Sequence, residues 1–105
     1  MYTRLDNNRT KKYYREIINS ALLETEKLLK MSPEIIIYQS IYNQLADINE
    51  KIIKNHIIFS EDELYNRYSL GALAVKNFDL DNDEYAQKLS DSFGGTFDYN
   101  EMKES

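Results

Sequence analysis

The residues best suited to chemistry form an acidic run at 79–83, Asp-Leu-Asp-Asn-Asp, whose alternating carboxylates are typical of the start of a calcium-binding loop. An EF-hand loop also requires glycine at its sixth position and a bidentate glutamate at its twelfth. Those positions hold Glu84 and Ser90. The run is therefore not expected to bind a metal.

The other chemically reactive residue types do not form a catalytic set. The chain has no cysteine and one histidine, His56, which is expected at the end of a helix, where a cation is favourable. The pair Gly94-Gly95 lacks the flanking residues of a phosphate-binding loop. We expect no catalytic residue, no cofactor and no enzymatic activity.

Acidic side chains are concentrated towards the C-terminus. From residue 79 onward eight acidic residues face two basic ones, in a chain of net charge −5. An acidic surface repels nucleic acid and attracts basic surfaces. The chain also has nine tyrosines, a residue enriched at interfaces. Together these features favour a protein partner with a basic surface, and no nucleic acid or membrane.

A basic, aromatic start supports an alternative. Arg9, Lys11, Lys12 and Arg15 surround two tyrosines and are consistent with a helical antitoxin or regulator that binds nucleic acid. One basic turn in an acidic protein is weak support, and a solvated helix face is the simpler interpretation.

Apolar residues at steps of three and four predict an all-α fold, a small bundle of about four helices with short turns. The expected helices span roughly 10–30, 33–52, 61–76 and 82–93. Their predicted core positions include the following residues: Tyr14, Ile18, Leu22, Tyr38, Ile41, Leu45, Ile48, Ile52, Leu64, Tyr68, Ala72 and Val75.

Capping residues mark the expected helix ends. Ser32 and Pro33 suit the cap and first position of the second helix. The third and fourth helices are each expected to begin with a capping box, Ser60 with Glu63 and Asp81 with Glu84. The glycines at 94–95 are expected to end the last helix in a left-handed conformation.

The domain organisation follows from these elements. Residues 1–95 are expected to form one helical domain and 96–105 a polar, flexible tail. The chain has no apolar run long enough to span a membrane and no signal-peptide pattern near residue 1. We therefore expect a soluble, cytoplasmic protein.

One segment resembles a known family. Residues 70–79 read Leu-Gly-Ala-Leu-Ala-Val-Lys-Asn-Phe-Asp. This is similar to the Leu-Gly-small-x-Ala-Val-Lys-x-Phe-Asp signature of small helical immunity proteins that protect against interbacterial toxins. The similarity continues through Asp83-Glu84-Tyr85 to Asp91, and covers about a quarter of the chain closely. The longer polar start and the residues after Gly95 depart from the family pattern.

The resemblance implies a stoichiometric inhibitor that binds a cognate toxin domain and obstructs its active site. Related proteins protect against effectors of type VI secretion, notably NAD(P)-degrading ones, and others serve contact-dependent growth inhibition. The implied toxin is an NAD(P) glycohydrolase or an RNase.

The expected toxin-binding residues lie around the turn before the last helix. They are Lys76, Asp79, Asp81, Asp83, Glu84, Tyr85 and Asp91. An alternative is a module that self-associates through the apolar sides of the first two helices, so a homo-oligomer remains open.

Overall fold

A computed structural model describes residues 1–105 and contains five α-helices and no β-strand. The helices are α1 (Lys11–Met31), α2 (Ile36–Ile48), α3 (Glu61–Arg67), α4 (Leu70–Asn77) and α5 (Glu84–Gly94). The all-α prediction is confirmed, whereas the expected number of four helices is wrong by one. None of the five helices combines the length and the apolar composition that a membrane span requires.

The first helix is central to the fold and packs against both α2 and α5. Its cap is Thr10, whose hydroxyl accepts a hydrogen bond from the backbone N–H of Tyr13 at 3.1 Å. One face of α1 buries Tyr14, Ile18 and Ala21 completely. The predicted apolar spacing thus places α1 in the core.

The second helix begins later than predicted. Ser32 and Pro33 do not start it, because the N–H of Ile35 donates to the Ser32 carbonyl and closes a turn, leaving Ile35 extended. The helix then buries its predicted stripe at Ile41, Leu45 and Ile48 and continues as a π-helical segment, Asn49–Lys54.

The predicted third helix is divided into α3 and α4. The capping box of Ser60 and Glu63 is confirmed, with hydrogen bonds of 2.9 and 3.2 Å. The break occurs at Tyr68, which is extended, and the next N–H, that of Ser69, donates to the side chain of Gln44 in α2 at 2.7 Å. Tertiary hydrogen bonding therefore prevails over helical periodicity at this point.

This break changes which residues of the segment are buried. Leu64 and Tyr68 lie in the core as predicted, and Leu70 joins them. Ala72 and Val75, which were expected to be buried, are exposed. The break turns the helix, so the periodicity of one continuous helix no longer assigns the buried face of α4.

The last helix begins at Glu84, and its cap is Asp83 rather than Asp81. The predicted capping box of Asp81 and Glu84 is wrong, because the carboxylate of Asp83 accepts from the N–H of Tyr85 at 2.9 Å. The left-handed end at residues 94–95 is also wrong. Gly94 and Gly95 have φ values of −58° and −70°.

Gly95 is required for a different reason, which is close packing. A Cβ on Gly95 would lie 2.2 Å from the ring of Tyr14. The buried Tyr14 therefore approaches the backbone at a point where a side chain does not fit.

Residues 96–105, expected from their polarity to form a tail, lie against α1 in the structure. Tyr99 and Met102 belong to the core, and the Tyr99 ring lies 5.4 Å from that of Tyr14. The backbone carbonyls of Lys103 and Glu104 accept hydrogen bonds from the first two N–H groups of α1, each at 2.9 Å. This segment thus satisfies donors that a helix start leaves unpaired.

Candidate functional site

The predicted site centres on the connection between α4 and α5, here called the acidic turn (residues 79–84). Asp79 organises it, since its carboxylate accepts from the Asp81 N–H at 3.2 Å and from the Asn82 side chain at 2.8 Å. Its carbonyl also accepts from the N–H of Asp83 at 2.7 Å. Asp79 and Asp83, the cap of α5, therefore have structural roles in the turn itself.

The remaining charges of this region point into solvent. Lys76, Asp81 and Glu84 are exposed, and Glu84 accepts one hydrogen bond, from the Tyr2 N–H at 3.1 Å. None of the four acidic residues of the turn is in a salt bridge. The turn thus presents negative charge that the protein itself does not neutralise.

A cleft of about 450 Å³, here called the apolar cleft, opens beside the acidic turn. The turn region contributes Phe78, Asp83 and Tyr85. The opposite wall comes from α1 and α2 and consists of Glu24, Lys27, Leu28 and Tyr38. An apolar concavity with a few charged groups at its edge is suited to accept a side chain of a partner.

Tyr85 forms part of the apolar cleft and is fixed there by two contacts. Its ring packs edge-to-face on Phe78, with centroids 5.5 Å apart. Its hydroxyl lies 2.6 Å from the hydroxyl of Thr25, which in turn donates to the Ala21 carbonyl. Burial raises the pKa of Tyr85 to about 12, so the phenol is neutral at physiological pH.

Asp91 does not lie with the other predicted residues. It is 8% exposed and accepts four hydrogen bonds from the N-terminal segment. The donors are the Tyr2 hydroxyl (2.6 Å), the Arg4 guanidinium (3.0 and 2.9 Å) and the Leu5 N–H (3.0 Å). Both oxygens are engaged, so Asp91 joins the start of the chain to α5.

The cleft wall from α1 and α2 was missed by reasoning from the sequence. Leu28 and Tyr38 lie on the apolar stripes of their helices, and such stripes predict burial. Periodicity alone does not distinguish a residue in the middle of the core from one at the edge of a cleft. Glu24, a charged residue next to that stripe, was the available signal.

In the basic start of the chain, Arg9 and Arg15 are paired inside the protein, whereas Lys11 and Lys12 are in no salt bridge. Arg9 contacts Asp98 at 2.7 Å and Asp6 at 2.6 Å, and Arg15 pairs with Glu104. The hydrogen bonds to Asp98 and Asp6 raise the pKa of Arg9. Two of the four cations that suggested nucleic-acid binding therefore hold residues 98–104 against the start of the chain and the first helix.

Fold and site together define a small all-α domain with an exposed acidic turn beside an apolar cleft. The Tsi6 family model matches residues 13–98, which is most of the chain and includes all the helices except the first two residues of α1. The chain therefore belongs to the Tsi6 family and is a type VI secretion immunity protein. No curated protein and no solved structure matches it.

Proposed function

We propose that the protein binds a cognate antibacterial toxin domain in a one-to-one complex and blocks its active site, which protects the producing cell. The proposed contact surface is the acidic turn together with the apolar cleft. The mechanism is occlusion, so the protein contributes no catalytic residue. The family membership supports a toxin as the partner.

The charge of the acidic turn supports this choice of surface. An enzyme that degrades NAD(P) or RNA must bind phosphates, and its active-site cleft is accordingly basic. The exposed carboxylates of Asp81 and Glu84 are in no salt bridge and complement such a cleft. Opposite charge also accelerates association, which matters when the inhibitor must capture every toxin molecule.

The apolar cleft supports a tight complex. Affinity at protein interfaces comes mostly from a few anchors buried in pockets and surrounded by polar groups. The walls formed by Leu28, Tyr38 and Phe78 offer apolar contact, and Asp83 adds a carboxylate to the lining. We expect one side chain of the toxin to enter this cleft while its basic groups meet the turn.

The toxin chemistry follows the resemblance, with an NAD(P) glycohydrolase as the first choice and an RNase as the second. The family membership favours type VI secretion as the delivery route of the cognate effector, ahead of contact-dependent growth inhibition. We expect the neighbouring gene to encode the secreted effector, and its sequence would identify both.

The test is a titration of the cognate toxin domain with the purified protein, with hydrolysis of NAD and NADP and cleavage of RNA measured in parallel. We expect toxin activity to fall linearly and to disappear at one equivalent. Asp81→Lys with Glu84→Lys should require an excess of the immunity protein. Glu26→Lys with Glu50→Lys, which changes the net charge equally outside the turn, is the matched control. Full toxin activity in a large excess of wild-type protein would contradict the proposal.

A further inference from the structure

The protein has a second surface that is separate from the acidic turn and the apolar cleft. It is a group of three rings, the exposed Tyr65 and Phe97 and the partly buried Phe93, next to Ile58, and we call it the aromatic patch. The ring centroids are 5.2 to 5.6 Å apart in all three pairs. Tyr65 is 60% and Ile58 78% exposed, so large apolar area faces solvent.

The patch is held in place by the fold around it. A Cβ on Gly71 would lie 3.2 Å from the Phe93 ring, so the start of α4 sits directly against that ring. The Thr96 hydroxyl donates to the Phe93 carbonyl at 2.6 Å and fixes the turn that carries Phe97. The capping box of Ser60 orders the start of α3, which carries Tyr65. The rings are therefore arranged before any partner arrives, which lowers the entropic cost of binding.

The edge of the patch is acidic. Glu61 and Asp62 precede Tyr65 by four and three residues on α3 and so lie on the same face of that helix. Glu101 lines a groove with Ile58 and Phe97. All three carboxylates are exposed and none is in a salt bridge. A second copy docked here about a twofold axis would bring like charges together, which disfavours self-association.

We propose that the aromatic patch binds a cationic segment of the toxin polypeptide, in which arginine or lysine side chains alternate with aliphatic ones. Aromatic faces attract a guanidinium or ammonium group, and nearby carboxylates strengthen that attraction. The protein makes such a contact internally, where the guanidinium of Arg67 lies 4.6 Å from the centroid of Phe59. This inference rests on the proposed function, because it assigns a second contact to the same partner.

The location of the patch determines how far along α5 the bound toxin must reach. Phe93 and Glu84 are near opposite ends of α5, and nine residues of helix correspond to about 14 Å along its axis. A toxin that contacts the acidic turn and the patch must therefore extend along α5. An interface of ordinary size, about 800 Å² on each partner, is large enough for this.

The test compares the toxin affinities of two alanine variants whose original side chains are equally exposed. Tyr65→Ala removes a ring of the patch, and Leu23→Ala on α1, also 60% exposed, is the matched control. In calorimetric titrations with the cognate toxin domain, we expect Tyr65→Ala to bind at least tenfold more weakly, and Leu23→Ala to bind within twofold of wild type. Glu61→Lys with Asp62→Lys should also weaken binding and reduce its salt dependence.

The outcomes separate this inference from the proposed function. If Tyr65→Ala binds like wild type while Asp81→Lys with Glu84→Lys binds weakly, the patch is not a toxin contact and the proposed function stands. If wild-type protein does not bind the toxin at all, the proposed function fails, and the second contact fails with it. Sedimentation supplies an independent check, in which we expect a monomer. A dimer that Tyr65→Ala dissociates would overturn the inference, because the patch would then be an interface between copies of the chain.

Discussion

The two ends of α5 carry the same kind of charge and use it differently. Near its C-terminal end, the buried carboxylate of Asp91 receives four hydrogen bonds from the start of the chain. At its N-terminal end, Asp81 and Glu84 are exposed and lack salt bridges. The comparison shows that the count of acidic residues is less informative than the donors that surround each one. Asp91 stabilises the fold, while Asp81 and Glu84 direct their charge to solvent, where we propose that a partner binds.

The largest effect on stability is expected from substitutions of the adjacent glycines at the C-terminal end of α5. A Cβ at Gly95 would meet the ring of the fully buried Tyr14 at 2.2 Å, whereas one at Gly94 has nothing within 4 Å. We expect Gly95→Ala to lower the free energy of unfolding by roughly 3 kcal/mol through overpacking. Gly94→Ala, the matched control, should be neutral or stabilise by about 0.5 kcal/mol. Urea denaturation measures both, and equal stability of the two variants would show that the ring of Tyr14 adapts freely.

Asp91→Ala should be next in size. It removes the acceptor for the Arg4 guanidinium and for the buried N–H of Leu5. We expect a loss of about 2 kcal/mol in the free energy of unfolding, because the buried N–H of Leu5 and the partly buried donors of Tyr2 and Arg4 lose their acceptor. Hydrogen exchange at Leu5 should accelerate as well. A variant as stable as wild type would mean that the N-terminal segment does not depend on this carboxylate.

A smaller, pH-dependent effect is expected at Tyr85. Tyr85→Phe removes the hydroxyl bonded to Thr25 and should cost about 1 kcal/mol at neutral pH. Burial raises the pKa of Tyr85 from 10.0 to about 12, so its contribution is present below pH 10 and is lost as pH rises through about 12. Thermal melting across this range should show a shallower loss of stability for Tyr85→Phe than for wild type. Parallel curves would show that the Tyr85 phenol does not contribute to alkaline unfolding.

The smallest effect on stability is expected at the acidic turn. Asp81→Lys with Glu84→Lys should change the free energy of unfolding by less than about 1 kcal/mol, since the lost interaction of Glu84 with the start of α5 is partly screened by solvent. A larger loss in urea denaturation would mean that these carboxylates hold the turn, as Asp79 and Asp83 do.

Local sequence patterns predicted the parts of the fold that local interactions determine. The stripe of Ile41, Leu45 and Ile48 and the capping box of Ser60 were predictable because their partners lie within one or two helical turns. The break at Tyr68 was not, because it depends on Gln44 and Asp47 in another helix. Long-range hydrogen bonds of this kind leave no periodic signal in the sequence.

Long-range contacts also limited how much of the candidate site could be predicted from the sequence. The acidic turn is a contiguous segment, so its charge was visible in the sequence. The partners of Asp91 lie 86 to 89 residues away, and the far wall of the apolar cleft comes from α1 and α2. Nothing near Asp91 in the sequence separates it from the exposed acids of the turn.

The most direct test of the acidic turn as the toxin-binding surface is the rate of association with the cognate toxin domain, measured by stopped flow at low and high salt. For Asp81→Lys with Glu84→Lys we predict association about tenfold slower at low salt and a weaker dependence on salt than wild type. Glu26→Lys with Glu50→Lys should change the rate much less, although the net charge is the same. Equal rates for the two double variants would contradict the assignment, because net charge rather than the acidic turn would then control capture of the toxin.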